Sequence, residues 1–138
     1  MVYLQKLLNE LKKLNLPRNE YVIIGSGVLA VRNIREVHDL DILPSDKLWD
    51  ELVKKYPVTP ENPPDIEKIL IGNIEFVGKG SSYRDTAVAT LDEIFKTADF
   101  INGFPYINLN LLRKIKLKMG RGKDLKDISL IDNYLASH

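Results

Sequence analysis

Two aspartates separated by one residue, Asp39 and Asp41, are the side chains of this 138-residue sequence best suited to bind a divalent cation. On an extended strand alternate side chains share one face, about 6.5–7 Å apart at Cα, so the carboxylates could converge on one ion or bracket two. A solvent-facing strand would also carry charges at alternate positions. The apolar neighbours Val37, Leu40 and Ile42 favour a strand near the core, where a carboxylate without a cation is costly.

A glycine-rich turn, Gly25-Ser26-Gly27, lies between a short β-branched run and a segment of helix-compatible residues. The run Tyr21–Ile24 predicts a buried strand, and residues 28–31 predict the start of a helix. Free amides at a helix N-terminus can bind a phosphate group when glycines let the backbone come close. Glycine at a strand-to-helix turn is also a common structural feature, so the turn by itself leaves both interpretations open.

A third acid, Glu75, stands between Ile74 and Phe76 in a short run that follows Gly72-Asn73. Two residues able to take positive φ between alternating apolar runs predict a β-hairpin. An acid flanked by large apolar residues in a strand then faces away from the core. A solitary glutamate in such a strand is more often a plain surface residue.

These three features occur in an order that resembles the nucleotidyltransferase superfamily of the DNA polymerase β type. The pattern is a glycine-serine turn, an Asp-x-Asp pair after twelve intervening residues, and an apolar-acid-apolar strand. Arg35, four residues before Asp39, stands where small members of the superfamily often have an arginine. Val37 departs from a frequent threonine. Glu75 replaces a frequent aspartate, which keeps a metal ligand but lengthens its reach.

The segment from Lys116 to Asp127, KLKMGRGKDLKD, is similar to the KLxxGRxKDxxD run of small bacterial and archaeal nucleotidyltransferases. These include toxin-type enzymes of abortive-infection and toxin–antitoxin systems. The resemblance covers residues 20–43, 66–78 and 104–135, which is half of the chain. It implies a polymerase β-like nucleotidyltransferase fold: an α/β (α+β) architecture with a mixed sheet, helices packed on it and C-terminal helices.

The resemblance also implies that Asp39, Asp41 and Glu75 hold two magnesium ions. One ion would activate an acceptor hydroxyl, and the other would neutralise a triphosphate and its departing pyrophosphate. A triphosphate of about −4 with three carboxylates gives about −7, and two divalent ions leave about −3 to be offset. The turn and several basic side chains would bind this triphosphate; they are Gly25, Ser26, Arg35, Lys116, Arg121 and Lys123.

The C-terminal segment leaves two alternatives open. Lys116 or Lys118 could approach the phosphates, because a helical spacing of two prevents both from facing the same way. Asp124 and Asp127, three residues apart on one helix face, could pair with Arg121 or Lys123 rather than bind metal.

His38 directly precedes Asp39, so strand alternation predicts that it points away from the acids. A packing or surface role is therefore expected for this histidine. The aromatic residues Trp49, Tyr56 and Phe95 fit helix or hairpin packing.

Alternating strand and helix patterns predict a mixed sheet covered by helices, in a single domain over residues 1–138. The expected helices are 2–15, a short one from 28, 46–56, 90–95, 109–119 and 123–135, with a C-terminal helical segment of 109–136. The expected strands are 21–24, 39–43, 66–71, 74–77, 98–101 and 104–107, the last two joined in a hairpin through Asn102-Gly103. Residues 57–65, which contain four prolines, and the glycine-containing stretch 78–84 predict loops.

The composition excludes several classes of protein. The chain is 44% hydrophobic and 28% charged with a net charge of +1, which excludes disorder of the whole chain. It has no cysteine, so disulfide frameworks and thiolate metal sites are excluded. No apolar run reaches the roughly 18 residues of a membrane helix, and no secretory signal is recognisable, so we expect a cytoplasmic protein without a membrane partner.

These observations favour a magnesium-dependent nucleotidyltransferase. It would transfer a nucleoside monophosphate from a nucleoside triphosphate to a hydroxyl of a protein or RNA acceptor. Residues 113–126 hold seven basic residues and one acid, which indicates either an anion or RNA site, with tRNA a candidate acceptor, or a solvated helix face. The alternative function is a non-catalytic partner with this fold in a toxin–antitoxin type complex, acting by protein or RNA binding.

Overall fold

The computed structural model describes residues 2–61 and 65–138. Within these ranges the helices are α1 (Val2–Lys13), α2 (Ser26–Ala30), α3 (Asp46–Lys55), α4 (Leu91–Lys96), α5 (Leu109–Met119) and α6 (Gly122–Ser137). The strands are β1 (Tyr21–Ile24), β2 (Leu40–Pro44), β3 (Thr59–Glu61), β4 (Ile66–Ile71), β5 (Ile74–Val77), β6 (Asp99–Ile101) and β7 (Phe104–Tyr106). None of the helices in the described ranges combines the length and apolar character needed to cross a bilayer.

The strands form one mixed sheet in the order β3-β4-β5-β2-β1-β7-β6. The central pairs β2–β5 and β1–β7 are parallel, whereas β1–β2 and the outer pairs are antiparallel. The expected α/β architecture with a mixed sheet is therefore confirmed. Two of the central strands, β2 and β5, carry Asp41 and Glu75.

The core forms where the β-branched and aliphatic runs of the central strands meet the helices. Ile23, Leu40, Ile42, Phe76 and Tyr106 are fully buried. Burial of each such side chain contributes roughly 1.5–3 kcal/mol relative to its exposure. Since alternate residues of β2 and β5 are committed to this core, the residues between them must face the other side of the sheet.

Turn and capping residues set the element boundaries much as expected. Gly72 has φ 60° between β4 and β5, and Asn102 and Gly103 have φ 52° and 87° between β6 and β7, so both hairpins are confirmed. The Ser45 hydroxyl accepts a hydrogen bond from Leu48 N–H at 3.1 Å and caps α3. Gly120, with φ 63°, ends α5 as expected from the left-handed conformation that glycine tolerates.

Two expected loops are wrong in part. Residues 59–61 of the expected 57–65 loop form β3 at one edge of the sheet, where Pro60 is tolerated because an edge strand can leave one side unpaired. Residues 62–64 of that loop lie outside the described residues. The expected loop at 78–84 contains a 3₁₀ turn, Ser82–Arg84, and its Ser81 and Tyr83 are buried.

Candidate active site

Asp41 and Glu75 are brought side by side by the parallel pairing of β2 and β5. They are direct register partners, and their flanking residues form the pairs Leu40–Ile74 and Ile42–Phe76, all buried. The period of two therefore places both acids on the face opposite those core residues. The two carboxyl groups share a hydrogen bond.

The pKa of Asp41 is raised from 3.8 to about 7. Burial is the largest cause, followed by the negative charge and the hydrogen bond of Glu75, with a smaller contribution from Asp39. The charge of Lys68 acts in the opposite direction. At pH 7 the Asp41 carboxyl group is therefore protonated in about half of the molecules, and a cation that binds this carboxylate must displace the proton.

Asp39 does not lie on the same strand as Asp41, so the expectation of two strand aspartates on one face is wrong. β2 begins at Leu40, whose N–H donates to Asn73 O at 3.0 Å, and Asp39 is an exposed residue in the bend before it. Among residues 2–61 and 65–138, no group of three or more Asp, Glu or His side chains is arranged to hold a metal ion. Strand alternation therefore positions Asp41 but not Asp39.

Gly25 brings the backbone against the carboxylate of Asp41. It has φ +65° and ψ −142°, and a Cβ at this position would lie 2.9 Å from Asp41 Oδ2. The Tyr83 hydroxyl is hydrogen-bonded to the backbone of Gly25. Gly27 contacts the core rather than the carboxylate, because a Cβ there would meet Leu40 Cδ1 at 2.8 Å. The first glycine of the turn thus belongs to the site, and the second allows close packing of α2 on the sheet.

A network of ion pairs, in which Lys116 and both carboxylates are buried and the two arginines are exposed, joins α5, α6 and Arg35. Lys116 Nζ lies 2.9 Å from Asp127 Oδ2 and 3.6 Å from Asp124 Oδ1. Arg35 Nη1 lies 2.7 Å from Asp127 Oδ1, and Arg121 Nε lies 2.6 Å from Asp124 Oδ2. Three cations against two carboxylates leave one positive charge in excess on this wall. We call these five residues the basic network.

The basic network keeps the Asp124 carboxylate ionised. Burial would raise the pKa of Asp124, but hydrogen bonds from Arg121 and the charges of Arg121 and Lys116 lower it overall. Asp124 pairs with Arg121, as the ion-pair alternative predicted, and Asp127 pairs with Lys116 and Arg35, which that alternative did not name. The sequence also left open whether Lys116 or Lys118 approaches the phosphates. Lys116 faces inward and pairs with Asp127, whereas Lys118 pairs with Asp85.

The basic segment at 113–126 does not form one continuous exposed stripe. Arg113 Nε pairs with Asp132 Oδ1 at 2.7 Å, Lys118 pairs with Asp85, and Lys116 is buried. Each of these neutral pairs reduces the charge available to a nucleic-acid backbone. RNA binding through this segment stays a prediction.

The carboxyl pair and four residues of the basic network, all but the buried Asp124, line the same cavity of about 360 Å³. Eight of the nine predicted site residues line it: Gly25, Ser26, Arg35, Asp41, Glu75, Lys116, Arg121 and Lys123. Asp39 lines an adjoining cavity of about 320 Å³, which shares Ser26, Arg35, Asp41 and Glu75 with the first.

Several residues of the two cavities were not predicted as part of a site. Lys68 and Tyr83 line the larger one, and no motif distinguishes either from an ordinary strand lysine or loop tyrosine. Their place in the cavity depends on the hairpin register and on the burial of Ser81 and Tyr83, and neither can be read from a sequence motif. His38 lines the smaller cavity as an exposed residue whose ring packs edge-on against Tyr3, so the expected packing or surface role is confirmed.

Comparison with known proteins assigns no family to this chain. No protein-family model matches it, and no curated protein matches it significantly. What the chain does must therefore be argued from the geometry of the two cavities.

Proposed function

We propose that this chain is a magnesium-dependent nucleotidyltransferase with a polymerase β-like fold. It transfers a nucleoside monophosphate from a nucleoside triphosphate to a hydroxyl of a protein or RNA acceptor. The proposal rests on one observation: the acidic residues Asp41 and Glu75, which we call the acidic wall, and the basic residues Lys116 and Arg121 line a single cavity. A triphosphate with its divalent cations presents both signs of charge, and such a cavity complements both.

The donor set of the acidic wall fits magnesium. Mg²⁺ prefers oxygen ligands and usually binds through one or two carboxylates together with substrate phosphates. Asp41 and Glu75 are neighbouring carboxyl groups that already share a hydrogen bond, and Asp39 is the third candidate ligand at the adjoining cavity. When bound, the metal would activate the acceptor hydroxyl and neutralise the charge of the triphosphate and pyrophosphate.

The chain's own residues supply binding and orientation. Lys116 would bind phosphate oxygens, and its position is set by two buried carboxylates at 2.9 and 3.6 Å. Arg121 and Lys123 are exposed residues of the same cavity and can approach a ligand from its open side. The Gly25-Ser26 turn brings backbone close to Asp41, where a side chain at Gly25 would collide with the carboxylate.

The proposal is tested by incubating the protein with labelled nucleoside triphosphates, Mg²⁺ and cell extract. Label should enter a protein or RNA, and Asp41→Asn should abolish the labelling because it removes an anionic ligand at nearly constant volume. Asp50→Asn, on an exposed residue of α3 outside the cavity, is the matched control and should keep the activity. Label that persists in folded Asp41→Asn would refute the proposal.

A second candidate function is a non-catalytic partner in a toxin–antitoxin type complex that acts by binding protein or RNA. It is favoured by one observation: Glu75 is paired with Lys68, and no three acids of the described ranges are arranged for a metal ion. Calorimetry separates the two candidates. Absence of nucleotide binding with Mg²⁺, together with tight binding to the product of a neighbouring gene, would favour the non-catalytic function.

A further inference from the structure

Lys68 lies beside the carboxyl pair, on the same face of the sheet. In the β4–β5 ladder Leu70 is opposite Glu75 and Lys68 is opposite Val77, so Lys68 is the diagonal neighbour of Glu75. Its Nζ is 3.4 Å from Glu75 Oε1, and the two side chains are 21% and 24% exposed. Lys68 also lines the larger cavity. An ammonium group is therefore built into the acidic wall.

The acidic character of this wall explains why the Lys68 ammonium group lies there. The Lys68 ammonium lies 3.4 Å from Glu75 Oε1 and offsets part of the negative charge that Asp41 and Glu75 bring to the wall. An isolated charge in a partly buried site is costly, and its pairing removes much of that cost. The flexible stem of lysine lets the ammonium leave Glu75 without any movement of the backbone.

We infer that Lys68 is the resident counter-ion of the Asp41–Glu75 pair, which a divalent cation must displace from Glu75 in order to bind. The inference rests on the proposed function, since it concerns the same metal-binding pair. It makes Lys68 a positioning residue that sets the cation affinity of the site. A magnesium ion needs carboxylate oxygens at about 2.0–2.1 Å, and Lys68 competes for Glu75 Oε1.

The test is calorimetric titration with Mn²⁺ alone, without nucleotide. Lys68→Met removes the competing charge and keeps the length of the side chain, so it should bind Mn²⁺ roughly tenfold more tightly than the wild type, a change of about 1.4 kcal/mol. Lys68→Arg retains the charge and should not gain affinity. Lys114→Met removes an exposed charge of α5 that does not line the cavity, and it controls for net charge.

A second measurement does not depend on heat signals. Mn²⁺ should raise the melting temperature of Lys68→Met more than that of the wild type at equal Mn²⁺ concentration. At a given concentration, a ligand that binds more tightly stabilises the folded state more. Lys68→Gln serves the same purpose if the methionine variant does not fold.

Each outcome decides something. Equal or weaker Mn²⁺ binding by Lys68→Met than by the wild type overturns the role of Lys68 and leaves the proposed function intact. Binding by Lys68→Met with none by the wild type supports the role of Lys68 and contradicts a metal-dependent activity of the natural chain. Absence of Mn²⁺ binding in both proteins overturns the inference and the proposed function together.

Discussion

The approach of Gly25 to Asp41 couples a backbone conformation to the chemistry of a side chain. With φ +65° and ψ −142° the residue lies in a region that side chains avoid, and the space for a Cβ is taken by the Asp41 carboxylate. Gly72 also has positive φ, +60°, but a Cβ there would meet nothing within 4 Å. A comparison of the two glycines therefore separates the effect of backbone strain from the effect of contact with the Asp41 carboxylate.

We expect Gly25→Ala to lower the free energy of unfolding by about 2–3 kcal/mol and Gly72→Ala by about 1 kcal/mol. Both substitutions carry the strain of a positive φ, whereas only the first forces Asp41 to move. Urea denaturation measures both values. Equal losses in the two variants would contradict the close approach of Gly25 to the carboxylate.

At the level of residues, the sequence was informative where the chemistry depends on a short motif. Asp41, Glu75 and Gly25 were predicted because strand period and turn composition are local properties. Lys68 was missed, since its closeness to Glu75 depends on the register of a hairpin. Asp39 was placed wrongly because a strand boundary depends on where ladder hydrogen bonds begin.

The hairpin of α5 and α6 shows how one element can present two different faces. Lys116 and Lys118 are two residues apart on α5, and their side chains reach different partners. Lys116 is 7% exposed between Asp124 and Asp127, whereas Lys118 is 44% exposed beside Asp85. Loss of the first lysine leaves two buried carboxylates with fewer partners.

We expect Lys116→Met to reduce the free energy of unfolding by about 3 kcal/mol or more, the typical effect of breaking a buried ion pair. Lys118→Met should have a much smaller effect, because an exposed pair is screened by solvent. Chemical denaturation of the two variants provides the comparison. Similar stabilities would mean that the basic network contributes little to holding α5 on α6.

Most elements were predictable because their signals are short in sequence. The hairpins follow from Gly72-Asn73 and Asn102-Gly103, and the helix starts at Ser45 and Asn108 follow from capping side chains. β3 was missed because prolines argue against a strand, and only pairing with β4 at the sheet edge makes one possible. Short sequence patterns therefore predict where most elements lie, whereas an edge strand such as β3 forms only through pairing with the assembled sheet.

At the scale of the molecule, the site is assembled from distant parts of the chain. Arg35 and Asp127 are 92 residues apart in sequence, and their ion pair closes the wall of the larger cavity. No motif encodes such a contact, which depends on the order of the strands and the packing of α6. The residues of the site were therefore largely predictable, whereas their mutual arrangement was not.

Asp41 makes the stability of the metal-free protein depend on pH. Its pKa is about 7 in the folded state and near 3.8 when unfolded, so the folded state binds the proton more tightly. This contribution is complete below the unfolded pKa and is lost as the pH rises through about 7. Carboxylates with lowered pKa, such as Asp124, act in the opposite direction at more acidic pH.

In the presence of a chelator, Asp41→Asn should therefore gain stability relative to the wild type between about pH 5 and about pH 8, by about 1 kcal/mol or more. Asp50→Asn should show no such trend, since Asp50 is exposed and outside the cavity. Unfolding by urea at both pH values gives the comparison. A pH-independent difference for Asp41→Asn would show that burial and Glu75 do not hold a proton on this carboxyl group.

The sole tryptophan is placed where it can report on ligand binding. Trp49 is buried, and its indole ring fills the space that a side chain at Gly78 would need. Gly78 opens the segment that carries Ser81 and Tyr83, both of which line the larger cavity. Any ligand that shifts this segment will change the surroundings of the indole, so intrinsic fluorescence offers a label-free optical signal for nucleotide and metal titrations.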